Sequence, residues 1–198
     1  MDINIILFDD FETLDVFGPV EIFGRLPEEY TLNYFSRDGG IITSRQNVKV
    51  VTKEWKEASG DGILFLPGGQ GTRKVIQDNA YVRKLKEMAE QAIYCITVCT
   101  GSALLAATGT LKGKKATSNK IAFSWVKSVD KEVEWIPKAR WVVDGKFYTS
   151  SGVSAGMDMA LGFIADRHGV RKADEIATVI EYIWNRDKEK DAFAYLGE

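Results

Sequence analysis

One thiol in this sequence stands where a thiol can react. In Thr97-Val98-Cys99-Thr100-Gly101-Ser102 an apolar, strand-like run passes straight into a helix-like run, Ser102–Ala107, with Cys99 at the junction. The residues two before and two after it, Thr97 and Gly101, are small. A sharp strand-to-helix turn needs small neighbours, because it strains the backbone of its central residue and pushes that side chain outward. This is the nucleophile elbow, best known with serine in Gly-x-Ser-x-Gly. A thiol at a helix N-terminus also feels the positive end of the dipole. In reactive sites this lowers its pKa to between ~3.5 and ~7.5, from ~8.5 for a free thiol. The expectation is therefore a thiol that is substantially thiolate at neutral pH. The competing reading is a buried, inert cysteine, the ordinary fate of free cysteines. Cys95, in mid-strand with no helix start beside it, is read that way.

Asp15 is the second candidate. It lies among apolar neighbours in Thr13-Leu14-Asp15-Val16-Phe17-Gly18-Pro19. A carboxyl in apolar surroundings has a raised pKa. Held protonated, it could donate to a thiolate or carry a proton during turnover; a helix N-cap is the alternative role. The turn Gly68-Gly69-Gln70-Gly71-Thr72 could present backbone N–H groups to a developing negative charge. It lacks the Gly-Lys-Ser/Thr of a phosphate loop, and no Gly-x-Gly-x-x-Gly follows the first strand. The sole histidine, His168, falls at the end of a late helical stretch, where a cation caps carbonyls. A Cys–His triad thus has no base, and a transition-metal site lacks its usual ligands.

These groups must be held by elements that alternate. Ile3–Phe8, Asp61–Leu66 and Ile93–Val98 are apolar runs of strand length, as in a sheet buried on both faces. Thr31–Ser36 reads as a further strand, Ile41–Val51 as one or two, and Lys115–Thr117 as a short one. Trp141–Thr149 reads as a hairpin with a tight Asp-Gly turn. Helices are expected from near Gly18, with Pro19 in the first turn and Asp15 in the turn before it, and from Tyr81 to Gln91. Others are expected over Ser102–Ala107, Ile121–Val129, Ser154–Arg167 and Lys172 to about Asn185. Alternation of this kind implies an α/β three-layer sandwich with a mainly parallel central sheet. In such sheets ligands bind beyond the carboxyl ends of the strands. Asp15, the Gly-rich turn and Cys99 each follow a strand, so all three fall at that edge.

With 198 residues, the chain is expected to form one domain. Its net charge of -2 and the lack of a basic run leave no footprint for nucleic acid or an anionic membrane. No stretch approaches the roughly 18 apolar residues of a membrane span, and the N-terminus lacks a secretory pattern. A cytoplasmic protein is expected. Cys95 and Cys99, four apart on a strand, would lie roughly 13 Å from each other, too far for a disulfide. Both are expected to be reduced.

Together these residues resemble the ThiJ/PfpI superfamily, whose sheet is like that of class I glutamine amidotransferases, a flavodoxin-like arrangement. The similarity runs from Phe8-Asp9 through Leu14-Asp15-Val16-Phe17-Gly18-Pro19 to Leu66-Pro67-Gly68-Gly69. It continues with Val98-Cys99-Thr100-Gly101-Ser102, then Gly109-x-Leu111-x-Gly113-Lys114-Lys115-Ala116-Thr117. It ends with Ser151-Gly152-Val153-Ser154-Ala155-Gly156-Met157-Asp158. Within the superfamily the chain is most similar to the isocyanide hydratase branch, which has an aspartate at the place of Asp15 and a threonine at that of Thr100. The resemblance implies hydration of an isocyanide to an N-formamide, with Cys99 as nucleophile and Asp15 as proton carrier. Backbone groups at Gly69, Gln70 and Thr100 would hold substrate and water. It implies a small-molecule substrate, no cofactor, no metal and a homodimer. Asn119 departs from the pattern, standing where many relatives carry a histidine. An amide cannot act as a base, which weakens a protease reading. Alternatives are glyoxalase-type action on reactive carbonyls, whose branch carries a glutamate at the place of Asp15, and a non-catalytic redox sensor using Cys99. Regulators of this superfamily add a helix-turn-helix region for which the chain leaves no room, so a transcription factor is not expected.

Overall fold

The computed structural model describes residues 1–197. Among them an eight-stranded sheet runs in the order β3-β4-β2-β1-β5-β6-β10-β9. The strands are β1 (Asp2–Ile6), β2 (Thr31–Ser36), β3 (Gly40–Thr43), β4 (Lys49–Glu54), β5 (Ile63–Leu66), β6 (Tyr94–Thr97), β9 (Trp141–Asp144) and β10 (Phe147–Ser150). β4, β2, β1, β5, β6 and β10 are parallel, and antiparallel β3 and β9 form the two edges. The remaining strands, β7 (Lys115–Ala116) and β8 (Glu134–Trp135), pair only with each other.

The helices are α1 (Thr13–Phe23), α2 (Thr72–Val75), α3 (Asn79–Gln91), α4 (Gly101–Ala107), α5 (Phe123–Val129), α6 (Ala155–His168) and α7 (Val170–Val179). α1, α6 and α7 pack together on one face of the sheet, and α2, α3 and α5 gather around α4 on the other. The three-layer α/β sandwich expected from the alternation is present. Every residue of β5, and all of β1 after Asp2, is buried. That is the cost in apolar residues of covering a parallel sheet on both faces.

Chain direction creates the crevice. From β1 the chain crosses to β2, one way along the sheet; from β5 it crosses to β6, the other way. Right-handed crossovers then send the connecting helices to opposite faces, and a gap opens between the carboxyl ends of β1 and β5. Strand register aligns the residues at these ends. Ile5, Phe65, Ile96 and Tyr148 form one row across four strands. Three residues further along each strand stand Phe8, Gly68, Cys99 and Ser151, so the register brings Gly68 and Cys99 to one level at the edge of the crevice.

Several expectations need correction. α1 begins at Thr13, not near Gly18, so Asp15 lies inside its first turn and Pro19 in its interior. Pro19 supplies no N–H, yet its neighbours Gly18 and Ile22 are buried, and Gly18 packs on Met157 of α6. Tertiary packing outweighs the proline's local penalty here. α7 ends at Val179 instead of near Asn185. Glu181 adopts a φ of +51°, and the chain turns back so that Tyr182 and Asn185 donate to the Asp158 carboxylate. β8 and the one-turn α2 carry too few residues to show a period, and no sequence pattern predicts them. In the β9–β10 hairpin the two-residue loop is Gly145-Lys146, just past Asp144. Among the described residues, no helix is long and apolar enough to cross a membrane.

Candidate active site

Cys99 sits at a strained corner. Its φ is +57°, in the left-handed region that side-chain-bearing residues enter only at a cost of about 1–3 kcal/mol. Bonds on both sides hold it there. Its N–H donates to the Ser151 carbonyl at 3.0 Å, and its own carbonyl accepts from the Ser118 and Ser102 hydroxyls at 2.8 and 3.0 Å. Gly101 is where the departing chain crosses β5, since a methyl group there would strike the Leu66 carbonyl oxygen. The strained strand-to-helix turn read from the sequence is thus present.

Asp15 is fully buried. Its Oδ2 accepts the Gly68 N–H at 2.9 Å, and among the described residues its Oδ1 meets no hydrogen-bond partner. Burial pushes the carboxyl from 3.8 up to about 8. The Gly68 N–H pulls it back, the charge of Glu12 adds to the rise, and the Cys99 thiol pulls it back slightly. A carboxyl so placed is mainly protonated at neutral pH. The Cys99 thiol is also pushed well up, first by burial and then by the Asp15 charge, while the Thr100 and Val153 N–H groups favour its thiolate. This corrects the expectation of a depressed thiol. α4 is only seven residues long, and its dipole does not offset burial beside a carboxyl. The two groups titrate as a pair, and the first proton lost leaves one anion beside one acid.

The Gly-rich turn supports the pair more than it offers free donors. The Gly68 N–H is given to Asp15, the Gly69 N–H to Thr100 Oγ1 at 3.0 Å and the Gly71 N–H to the Asp10 carbonyl at 3.2 Å. A methyl at Gly68 would lie 2.5 Å from the Thr100 nitrogen and 2.9 Å from Asp15 Oδ2. Only glycine lets the turn come this close. Cys99, Gly69, Gln70 and Thr100 line one open cleft of about 260 Å³, which Glu12, Arg45 and Arg73 also face. All five residues singled out from the sequence are thereby brought together, four in the cleft wall and Asp15 buried behind the thiol.

Residues 1–166 match the DJ-1/PfpI family. The chain belongs to the DJ-1/PfpI family. It is 29% identical over 184 residues to an isonitrile hydratase of Pseudomonas putida, covering 92% of this chain and 78% of that protein. It is 29% identical over 156 residues to a deglycase, PfpI, of Pyrococcus furiosus, covering 76% and 89% respectively. Among solved structures it is similar to a ThiJ/PfpI family protein from Pseudomonas syringae, with a TM-score of 0.83 and 29% identity over 91% of this chain and 74% of that one.

In this DJ-1/PfpI chain two other residues weighed from the sequence, Cys95 and His168, lie outside the cleft. Cys95 is free and buried in β6, its thiol pushed up to about 12 by burial, and its Sγ donates to the Ala89 carbonyl at 3.6 Å. His168 ends α6, with its Nε2 2.8 Å from the Tyr30 hydroxyl. Asn119 does line the Cys99 cleft; its Oδ1 accepts the Ala122 N–H at 3.0 Å, at the entry to α5. Among the described residues, no group of three or more His, Cys, Asp or Glu could hold a metal ion. Sequence reasoning missed Val153 as a site residue. It stands at φ +37°, strained for a β-branched residue, with its N–H beside the thiol. The signal was available, because Ser151-Gly152-Val153 follows β10, at the same sheet edge as the other site residues.

Proposed function

We propose that this chain is a cofactor-independent hydratase that converts an isocyanide, R–N≡C, to the N-formamide, with Cys99 as nucleophile and Asp15 as proton carrier. The observation that carries the reading is a protonated, buried carboxyl against a thiol held at a strained elbow. The similarity to an isonitrile hydratase over 92% of the chain supports the substrate class.

The steps balance on the two groups. Both groups rest protonated at neutral pH. The reactive form has lost one proton, the thiol's, to water and holds thiolate and acid, a minor form that the isocyanide captures. Cys99 Sγ bonds to the isocyanide carbon, and the Asp15 proton passes to that same carbon, giving a thioimidate, Cys–S–CH=N–R. Water then adds to the carbon; one of its protons ends on nitrogen, relayed by the Asp15 carboxylate. As the C–S bond breaks, the remaining hydroxyl proton returns to Asp15 and the thiolate leaves. The product is R–NH–CHO, and both groups regain their starting state. The Thr100 and Val153 N–H groups favour the thiolate at the start and at the end. Gly69, Gln70 and Thr100 hold substrate and water in the cleft wall. The same reading takes residues 1–198 as one domain that works in the cytoplasm as a homodimer on a small-molecule substrate.

The test is formamide production from a simple alkyl isocyanide. Turnover in the wild type that vanishes in Cys99→Ala is expected. Absence of turnover in the wild type, with consumption of methylglyoxal instead, would replace the hydratase with a carbonyl-directed enzyme. Neither activity, with selective oxidation of Cys99 over Cys95 by peroxide, would make the site a sensor.

A further inference from the structure

The Cys99 cleft does not end at the thiol. Asn119, Ile121 and Val153 line it, and the same three residues line a second cleft of about 260 Å³ on the side toward the C-terminal segment. The two clefts share this wall, and we take them as two halves of one groove; their linings differ. Toward the Gly-rich turn stand the charged side chains Glu12, Arg45 and Arg73. Toward the C-terminal segment Phe193 and Leu196, 52% and 43% exposed, stand over the buried Lys120, Arg140 and Asp191, and Ile121, 80% exposed, belongs to the wall the two clefts share. Three large apolar side chains left open beside a candidate nucleophile call for an occupant.

The segment that brings two of them is fastened from below. Asp191 is buried; its N–H donates to the Lys138 carbonyl at 2.7 Å, and its Oδ1 accepts the Phe193 N–H at 3.0 Å. Beneath it lie Arg140 Nη1, 3.6 Å from Oδ1, and Lys120 Nζ, 4.0 Å from Oδ2. The Leu196 N–H then donates to the Phe193 carbonyl at 3.0 Å, closing a turn that sets both side chains in the groove. Buried charges thus fix the base of the segment while its apolar residues stay open.

We propose that Phe193 and Leu196, with Ile121, form an apolar subsite that receives the hydrocarbon substituent of the substrate and sets the enzyme's preference for it. The inference rests on Cys99 as the nucleophile and extends that reading to the substrate class: an isocyanide with an aliphatic or aromatic substituent, not a charged one. An electrophilic carbon bonded to Sγ must send its substituent out along the groove. The half lined by Glu12, Arg45 and Arg73 would set a hydrocarbon against charges that are not buried, whereas under the C-terminal segment the charges of Lys120, Arg140 and Asp191 are buried against one another and Phe193 and Leu196 would cover the hydrocarbon. Each methylene buried there strengthens binding by up to about fourfold.

A test that needs no turnover separates this proposal from the hydratase reading. Cys99 is alkylated with N-methylmaleimide and N-hexylmaleimide, and the hexyl-to-methyl rate ratio is corrected by the ratio for glutathione. Mass spectrometry assigns the adduct to Cys99. In the wild type the corrected ratio is expected to be about ten or more. In Phe193→Ala/Leu196→Ala it is expected to fall to about one. Both residues are partly exposed, and an unchanged circular dichroism spectrum checks the fold. A corrected ratio near one in the wild type, or a high ratio that survives the double substitution, would overturn the subsite. If the ratio behaves as expected while no isocyanide is hydrated, the subsite stands and the hydratase reading falls.

Discussion

Asp15 is placed to keep a proton, and that placement carries a measurable cost. Its folded pKa of about 8 lies above the ordinary 3.8, so the native state binds more protons than the unfolded chain between those values. Stability therefore falls as pH rises from 3.8 to about 8. Asn in its place keeps the acceptor for the Gly68 N–H and has nothing to ionise. Asp15→Asn is expected to melt near the wild-type temperature at pH 4 and above it at pH 8, with the gain growing in between, as calorimetry would show. The same substitution removes the proton carrier, and turnover is expected to fall by about 10²–10⁴. An Asp15→Asn variant of full activity would remove the carboxyl from the mechanism. The thiol responds separately. Because burial and the Asp15 charge both oppose its thiolate, iodoacetamide alkylation of Cys99 is expected to keep accelerating with pH beyond the ordinary thiol range. In Asp15→Asn the profile should move to lower pH, since only the burial opposition remains.

At the scale of elements, the carboxyl ends of β1, β5 and β6 make the site, and their closeness is set by glycine. Gly68 leaves no room for a methyl between Thr100 and Asp15. Gly68→Ala is expected to push the turn off Asp15, to reduce turnover at least tenfold and to slow Cys99 alkylation, while the sheet beneath still folds; wild-type kinetics in that variant would show that the close approach is dispensable. The sequence made this geometry legible because it depends on local chemistry repeated in order: an apolar run, then a turn residue, then a helix. It made the helix limits less legible where distant partners decide them. Pro19 reads locally as a first-turn residue, yet α1 extends through it because its buried face lies against α6. Apolar spacing carries α7 on to Asn185, yet the chain leaves the helix because Asp158 needs Tyr182 and Asn185 as donors. The raised thiol pKa was hidden for the same reason, since burial beside Asp15 exists only once β1 and β6 lie in one sheet. Val153 was within reach of the topology argument but not of any local pattern, because its role belongs to a backbone N–H and not to a side chain.

Over the whole molecule, one buried charge cluster ties the C-terminal segment to the face that carries the site. Asp158, fully buried in α6, accepts from Arg140 Nε at 2.5 Å, from the Tyr182 hydroxyl at 3.1 Å and from the Asn185 N–H at 2.9 Å. Arg140 in turn lies near Asp191, at the base of the segment that carries Phe193 and Leu196. Such a cluster is weak as a source of net stability, but removing one member strands the others in a medium that cannot solvate them. Asp158→Ala is therefore expected to cost about 3–5 kcal/mol in a denaturant titration. The loss should not be uniform. Hydrogen exchange is expected to quicken most from Tyr182 to Leu196, where the donors lose their acceptor, and least in β1, β5 and β6, whose amides are paired within the sheet. If the segment keeps its protection while the protein is destabilised as a whole, the cluster holds α6 and not the segment, and the groove beside Cys99 owes its apolar half to the turn at Asp191 alone.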